Sequence, residues 1–164
     1  PPLPMVCDPV LRAGGGGRLG KDEVGYAMRE RLLPLATIAT PNLPEARILA
    51  ELPDGSADEC AEKLLPFCRH LLITGGHGDE HEVHNRLYSR DGSRHTFTCH
   101  RLPGSYHGSG CTLASTLAGR LAIGEELVSA VQTALNYTWR TLRDAEQLGQ
   151  GQFVPRRLPL DFCS

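Results

Sequence analysis

Leu35-Ala36-Thr37-Ile38-Ala39-Thr40-Pro41-Asn42-Leu43-Pro44-Glu45-Ala46 holds the end of one element and the start of the next. The apolar and β-branched run Leu35 to Thr40 predicts a strand, and Pro41, which has no N–H to give a sheet ladder, halts it. Asn42 can cap a helix with Pro44 in its first turn and Glu45 at the third position; Ala46, Ile48, Leu49 and Leu52 then form the inner face. A strand that turns at once into a capped helix is the repeating unit of an α/β sheet.

The same alternation extends in both directions. Upstream, Pro4 to Val10 predicts a first strand, Ala13 to Gly17 a glycine-rich loop, and Asp22 the cap of a helix running to about Leu33. Downstream, Ser56 to Cys68 predicts a helix with Asp58 and Glu59 near its positive end, and His70 to Thr74 a third parallel strand ending in Gly75-Gly76. Two alternating runs, Val83 to Ser89 and Arg94 to Cys99, flank Asp91-Gly92, a pair that favours a hairpin turn, so an antiparallel edge is expected there. Pro103 to Cys111 is a second glycine-rich loop that feeds a helix with Leu113, Leu117 and Leu121 at helical spacing. A last helix is expected from Glu125 to Leu148 with Gly149 stopping it, followed by an irregular proline-rich tail. The fold class that emerges is α/β, a largely parallel sheet with an antiparallel edge hairpin, in one domain of 164 residues.

Composition narrows the function. A net charge of -2 and a pI near 6.4 leave no basic stripe for a nucleic acid, and no window approaches the length of apolar chain needed to span a bilayer. Six cysteines without a C-x-x-C pair or a signal peptide predict reduced thiols and a cytoplasmic protein. The chain opens within a few residues of its first strand, as though cut from a longer one.

Four segments can carry chemistry. Gly108-Ser109-Gly110 precedes a helix, where free backbone N–H groups bind anions and glycines allow close approach to a phosphate; a flexible turn with a serine cap explains the same residues. Cys111 would sit in the first helical turn, where the helix dipole favours a thiolate able to accept a proton, although a small core cysteine is the plainer alternative. Asn42 and Glu45 follow a parallel strand, at the edge where open α/β sheets bind ligands, and suit a hydrated Mg²⁺; a cap and its capping-box carboxylate account for them equally. Asp8 closes the first strand and Thr74-Gly75-Gly76 the third, so these ends are expected to converge with the glycine loop on one side of one sheet. His77, His81 and His84 are read as a solvated loop, not a metal site, and Arg156-Arg157 as surface charge.

Val6-Cys7-Asp8-Pro9-Val10, Thr40-Pro41-Asn42-Leu43-Pro44-Glu45-Ala46, Thr74-Gly75-Gly76-His77 and His107-Gly108-Ser109-Gly110-Cys111-Thr112 resemble, in order and spacing, the hydroxymethylpyrimidine/phosphomethylpyrimidine kinases. The resemblance runs from Met5 to about Leu158. It implies a ribokinase-like three-layer αβα fold whose first strands have no counterpart here. It also implies ATP and Mg²⁺ as cofactors, a small-molecule pyrimidine as substrate and a homodimer. By the same resemblance Cys111 is the base, Gly108, Ser109 and Gly110 form the anion hole, Asn42, Thr74 and Gly76 serve the nucleotide, and Glu45 and Asp8 the metal. Many members carry a lysine before the Gly-Gly turn where this chain has Thr74, a threonine also seen in pyridoxal-kinase relatives, and G-T-G-C reads here with Ser109. Pyridoxal kinase activity and a non-catalytic nucleotide-binding module are the alternatives; a thiol nucleophile assisted by His107 would leave Asn42 and Glu45 unexplained.

Overall fold

The computed structural model describes residues 3–11, 22–76 and 81–158, and the chain forms two compact units, residues 1–101 and 102–164. The glycine-rich stretch Ala13 to Gly17 and His77 lie outside the described residues.

The first unit is built on a five-stranded sheet in the order β1 (Val6–Cys7), β2 (Ile38–Ala39), β3 (His70–Ile73), β4 (Glu82–Ser89) and β5 (Arg94–His100). β1, β2 and β3 run parallel, while β4 and β5 form the expected antiparallel hairpin. Gly92, at φ 89°, closes that hairpin in the left-handed conformation a glycine tolerates without strain. The α/β class is as the sequence indicated.

The first two strands are shorter than their apolar runs. Leu35, expected in β2, belongs instead to a 3-10 turn over Leu33–Leu35, with Pro34 inside it. The helix expected from Asp22 to Leu33 divides into α1 (Asp22–Ala27) and a π-helical turn, Met28–Leu32.

Two helices follow the parallel strands, α2 (Leu43–Ala50) and α3 (Ala57–Leu64). Each opens on a full capping box: Asn42 Oδ1 accepts from the Glu45 N–H and Ser56 Oγ from the Glu59 N–H, and each glutamate returns a bond to its cap's N–H. Ala46 and Leu49 of α2 and Cys60, Ala61 and Leu64 of α3 pack with Ala39, Leu71, Ile73 and Tyr88, which share one face of the sheet. Strand alternation puts Ile38, Leu72 and Leu87 on the opposite face, where they are also fully buried. Burying a leucine this completely contributes about 1.5–3 kcal/mol, so these rows hold the strand ends in register.

The second unit is a helical hairpin of α4 (Ser109–Ala122) and α5 (Leu127–Arg143). Glu126 caps α5, its carboxylate accepting from the Val128 and Ser129 N–H groups. α5 ends at Arg143, before the Leu148 expected from its apolar spacing, because the chain beyond turns back on the unit: Glu146 pairs with Val154 and Phe153 with Tyr106. Among the described residues no helix is long and apolar enough to cross a membrane.

Candidate active site

In the first unit, three of the expected segments lie at the carboxyl ends of neighbouring parallel strands. Asp8 follows β1 directly, Asn42 and Glu45 follow β2, and Thr74 follows β3. Asn42 and Thr74 are held side by side by a parallel bridge: the Thr74 N–H donates to Pro41 O at 2.9 Å and the Leu43 N–H to Thr74 O at 3.2 Å. The backbone of Thr74 is thereby fixed against the cap of α2.

Glu45 is 6% exposed, and both of its oxygens serve the backbone. Oε2 accepts from the Asn42 N–H at 3.0 Å, and Oε1 more weakly from the Leu11 N–H at 3.4 Å. Burial is the main influence on this carboxyl and pushes its pKa up; the two N–H donors oppose that, and the neighbouring Asp8 charge adds to it. Burial alone pushes Asp8 up as well. Among the described residues neither carboxylate has a basic partner within ion-pair distance. Two desolvated carboxylates, one of them raised further by the charge of the other, and without a counter-charge among the described residues, fit a bound cation.

Gly75 shows why a glycine follows β3. A Cβ there would lie 2.6 Å from His84 O and 3.1 Å from His84 N, so the backbone of β4 passes where a side chain would stand. The Gly75 N–H donates to Oδ1 of the buried Asn85 at 3.2 Å. Gly76, at φ 106°, turns the chain away, and its carbonyl accepts from Arg101 Nη1 at 2.9 Å. His84 Nδ1 lies 3.1 Å from Thr98 Oγ1 within the hairpin. No group of three or more His, Cys, Asp or Glu suited to a metal occurs among the described residues.

The fourth segment belongs to the second unit. Gly108 takes the N-cap position of α4 in the left-handed conformation, φ 84° and ψ 13°, and no side chain caps the helix. A serine cap, the plainer reading of this loop, does not form, since Ser109 is already the first helical residue. The leading N–H groups of α4 are thus free of a side-chain acceptor, as an anion site requires. Thr112 fixes the turn by donating its hydroxyl to Gly108 O at 2.7 Å.

Cys111 is exposed on this first turn. It opens on a cleft of about 380 Å³ lined also by Thr112, Ser115, Thr116, Tyr137 and Arg157. The tail supplies the last of these, and Arg157 is exposed there, as expected of surface charge, while also reaching the first turn of α4. Arg156 pairs with Glu146 at 2.9 Å, whereas Arg157, itself exposed, donates from Nε to Thr112 Oγ1 at 3.0 Å. No local pattern could have announced a partner 45 residues away; the signal is confined to two arginines after Pro155.

Comparison with known proteins agrees with the motifs. Residues 1–156 match the family model described as phosphomethylpyrimidine kinase. The chain is 39% identical over 156 residues to the thiamine biosynthesis bifunctional protein ThiED of Geobacter sulfurreducens, covering 90% of this chain and 31% of that protein. It is 35% identical over 158 residues to the hydroxymethylpyrimidine/phosphomethylpyrimidine kinase of Synechococcus elongatus, covering 92% of this chain and 59% of the relative. Among solved structures, the ADP complex of Bacillus subtilis pyridoxal kinase superposes with a TM-score of 0.82 at 27% identity, over 93% of this chain and 59% of that one. The chain thus spans between about a third and three-fifths of the length of these relatives.

Proposed function

Because the chain belongs to the phosphomethylpyrimidine kinase family, we propose that its protein transfers the γ-phosphoryl group of ATP to 4-amino-5-hydroxymethyl-2-methylpyrimidine, and then a second one to the monophosphate, in thiamine biosynthesis. The observation that carries this reading is Cys111 on the first turn of a helix that no side chain caps, beside a cleft. Acceptor activation and anion binding are the two tasks a phosphoryl transferase asks of its protein, and the two features adjoin there.

In this reading both units form a single kinase domain of ribokinase-like fold. Cys111 takes the proton of the substrate hydroxyl as the oxygen–phosphorus bond forms, and the bond from the γ-phosphorus to the β,γ-bridging oxygen breaks to release ADP. The amides of Gly108, Ser109 and Gly110 hold charge on the moving group through a dipole already oriented before reaction. Asn42, Thr74 and Gly76 serve the nucleotide. Asp8 and Glu45 would hold Mg²⁺, which when bound neutralises phosphate charge; the absence of a basic partner for either carboxylate among the described residues supports that assignment. Cytoplasmic location and a homodimer belong to the same proposal.

Pyridoxal is the nearest alternative acceptor, favoured by two observations: Thr74, not lysine, precedes the Gly-Gly turn, and the chain is similar to a pyridoxal kinase structure. An ATP-consumption assay on the whole protein, with hydroxymethylpyrimidine and pyridoxal side by side and with or without Mg²⁺, separates them. Mg²⁺-dependent turnover of the pyrimidine is expected. Turnover of pyridoxal alone moves the assignment to that substrate, and turnover of neither, with nucleotide binding intact, to a non-catalytic module.

A further inference from the structure

The tail after α5 is tied to its unit at several points. Gln152 Nε2 donates to Ser105 Oγ at 2.6 Å, the Phe153 N–H to Ser105 O at 2.8 Å, the Arg156 N–H to Thr141 O at 2.9 Å, and the Tyr137 hydroxyl to Arg157 O at 2.5 Å. These bonds deliver Arg157 to the first turn of α4. Its Nε donates to Thr112 Oγ1 at 3.0 Å and its Nη2, more weakly, to Gly108 O at 3.4 Å. A Cβ on Gly108 would lie 2.8 Å from that Nη2, so the guanidinium closes directly over the glycine turn.

This placement runs against the usual electrostatics of a helix. Cations stabilise the C-terminal end, and a guanidinium at the N-terminus adds its charge to the positive end of the dipole. Among the described residues Arg157 has no carboxylate partner. Of the five N–H donors of an arginine, the two bonds to Thr112 and Gly108 use two, and the other three have no acceptor among the described residues and face solvent on this exposed side chain. Arg157 and Cys111 line one cleft, and the same guanidinium reaches Gly108 at the uncapped start of α4.

We propose that Arg157 is a further phosphate-binding residue of this kinase, its free guanidinium donors taking an oxygen of the γ-phosphoryl group beside Cys111. The inference rests on the kinase reading for the identity of its ligand. An anion at this point would neutralise both the guanidinium and the helix end, which the protein otherwise holds together at a cost. Thr112 is the positioning residue, since its hydroxyl spends its proton on Gly108 O and presents a lone pair to Arg157 Nε.

The test is an equilibrium titration of the whole protein in Mg²⁺ with ADP and with the β,γ-methylene analogue of ATP, for the wild type, Arg157→Met, Arg157→Gln and Arg157→Lys. Arg157→Met and Arg157→Gln are expected to bind the analogue about tenfold more weakly, with ADP affinity within about twofold, and Arg157→Lys to recover part of the loss because it keeps the charge without the fork. Equal affinity for the analogue in Arg157→Met or Arg157→Gln and wild type overturns the proposal, as does an equal loss for both nucleotides. If the wild type binds the analogue but phosphorylates no pyrimidine, the kinase reading fails while the titration still decides Arg157. If the wild type does not bind the analogue, both fail.

Discussion

Replacing Glu45 with glutamine separates a cap from a metal ligand. The carboxylate accepts one good backbone bond, from Asn42 at 3.0 Å, and one long one, from Leu11 at 3.4 Å. Glutamine retains a single carbonyl acceptor and can keep the better bond, so the direct loss is one weak interaction, about 1 kcal/mol. Against this, burial and the Asp8 charge already disfavour the ionised carboxylate, and a neutral amide escapes that penalty. Stability to urea without Mg²⁺ should therefore change by no more than about 1 kcal/mol, whereas Glu45→Ala, which abandons both N–H groups at a buried position, should cost about 2–4 kcal/mol. The Mg²⁺ concentration for half-maximal phosphoryl transfer should rise about tenfold in Glu45→Gln, the effect of about 1.4 kcal/mol of lost ligand energy. An unchanged Mg²⁺ titration would refute the metal role and leave Glu45 as a cap alone.

Two further outcomes follow from the same unit. Burial raises Asp8 above its ordinary 3.8 and Glu45 above its ordinary 4.5, so the folded protein binds these protons more tightly than the unfolded chain does. Their contribution to stability is present at low pH and declines as pH rises from those ordinary values through the raised ones. Under the proposed metal role Mg²⁺ would take the place of these protons, so it should stabilise against urea more at pH 7.5 than at pH 5, and the reverse order would contradict the pairing. Gly75→Ala forces a Cβ to within 2.6 Å of His84 O and strains the part-buried bond to Asn85; the overpacking and the weakened bond should cost about 1–3 kcal/mol, and an unchanged urea midpoint would show that β4 yields freely.

Local chemistry announced much of this fold. Asn42 and Glu45 form the capping box their spacing implies, Ser56 and Glu59 form another, and Asp91-Gly92 turns the hairpin between β4 and β5. These signals are short-range, set by bonds between residues at most a few positions apart. Strand ends were less legible, because apolar runs report burial and not where a ladder stops. Leu35 is apolar and yet 68% exposed in its turn after Pro34.

The site was legible in the same uneven way. Asp8, Asn42 and Thr74 could be placed at strand ends because proline and glycine mark where strands stop, and the bridge between Asn42 and Thr74 then follows from neighbouring parallel strands. That Gly108, not Ser109, occupies the N-cap position depends on a left-handed backbone angle that a run of small residues does not fix. Nor did helical spacing reveal that the chain would leave α5 at Arg143 and bring Arg157 to Thr112, since the bonds involved join residues far apart in sequence.

Cys111 is proposed to serve phosphoryl transfer as the base at the acceptor hydroxyl. The direct measurement is single-turnover transfer of labelled γ-phosphate from ATP to hydroxymethylpyrimidine by the whole protein, for wild type and Cys111→Ala, with ATP affinity measured in parallel. Loss of a positioned general base should slow transfer by roughly 10²–10⁴-fold while ATP affinity stays within about twofold. Transfer by Cys111→Ala at the wild-type rate would remove the thiol from the mechanism and contradict the account.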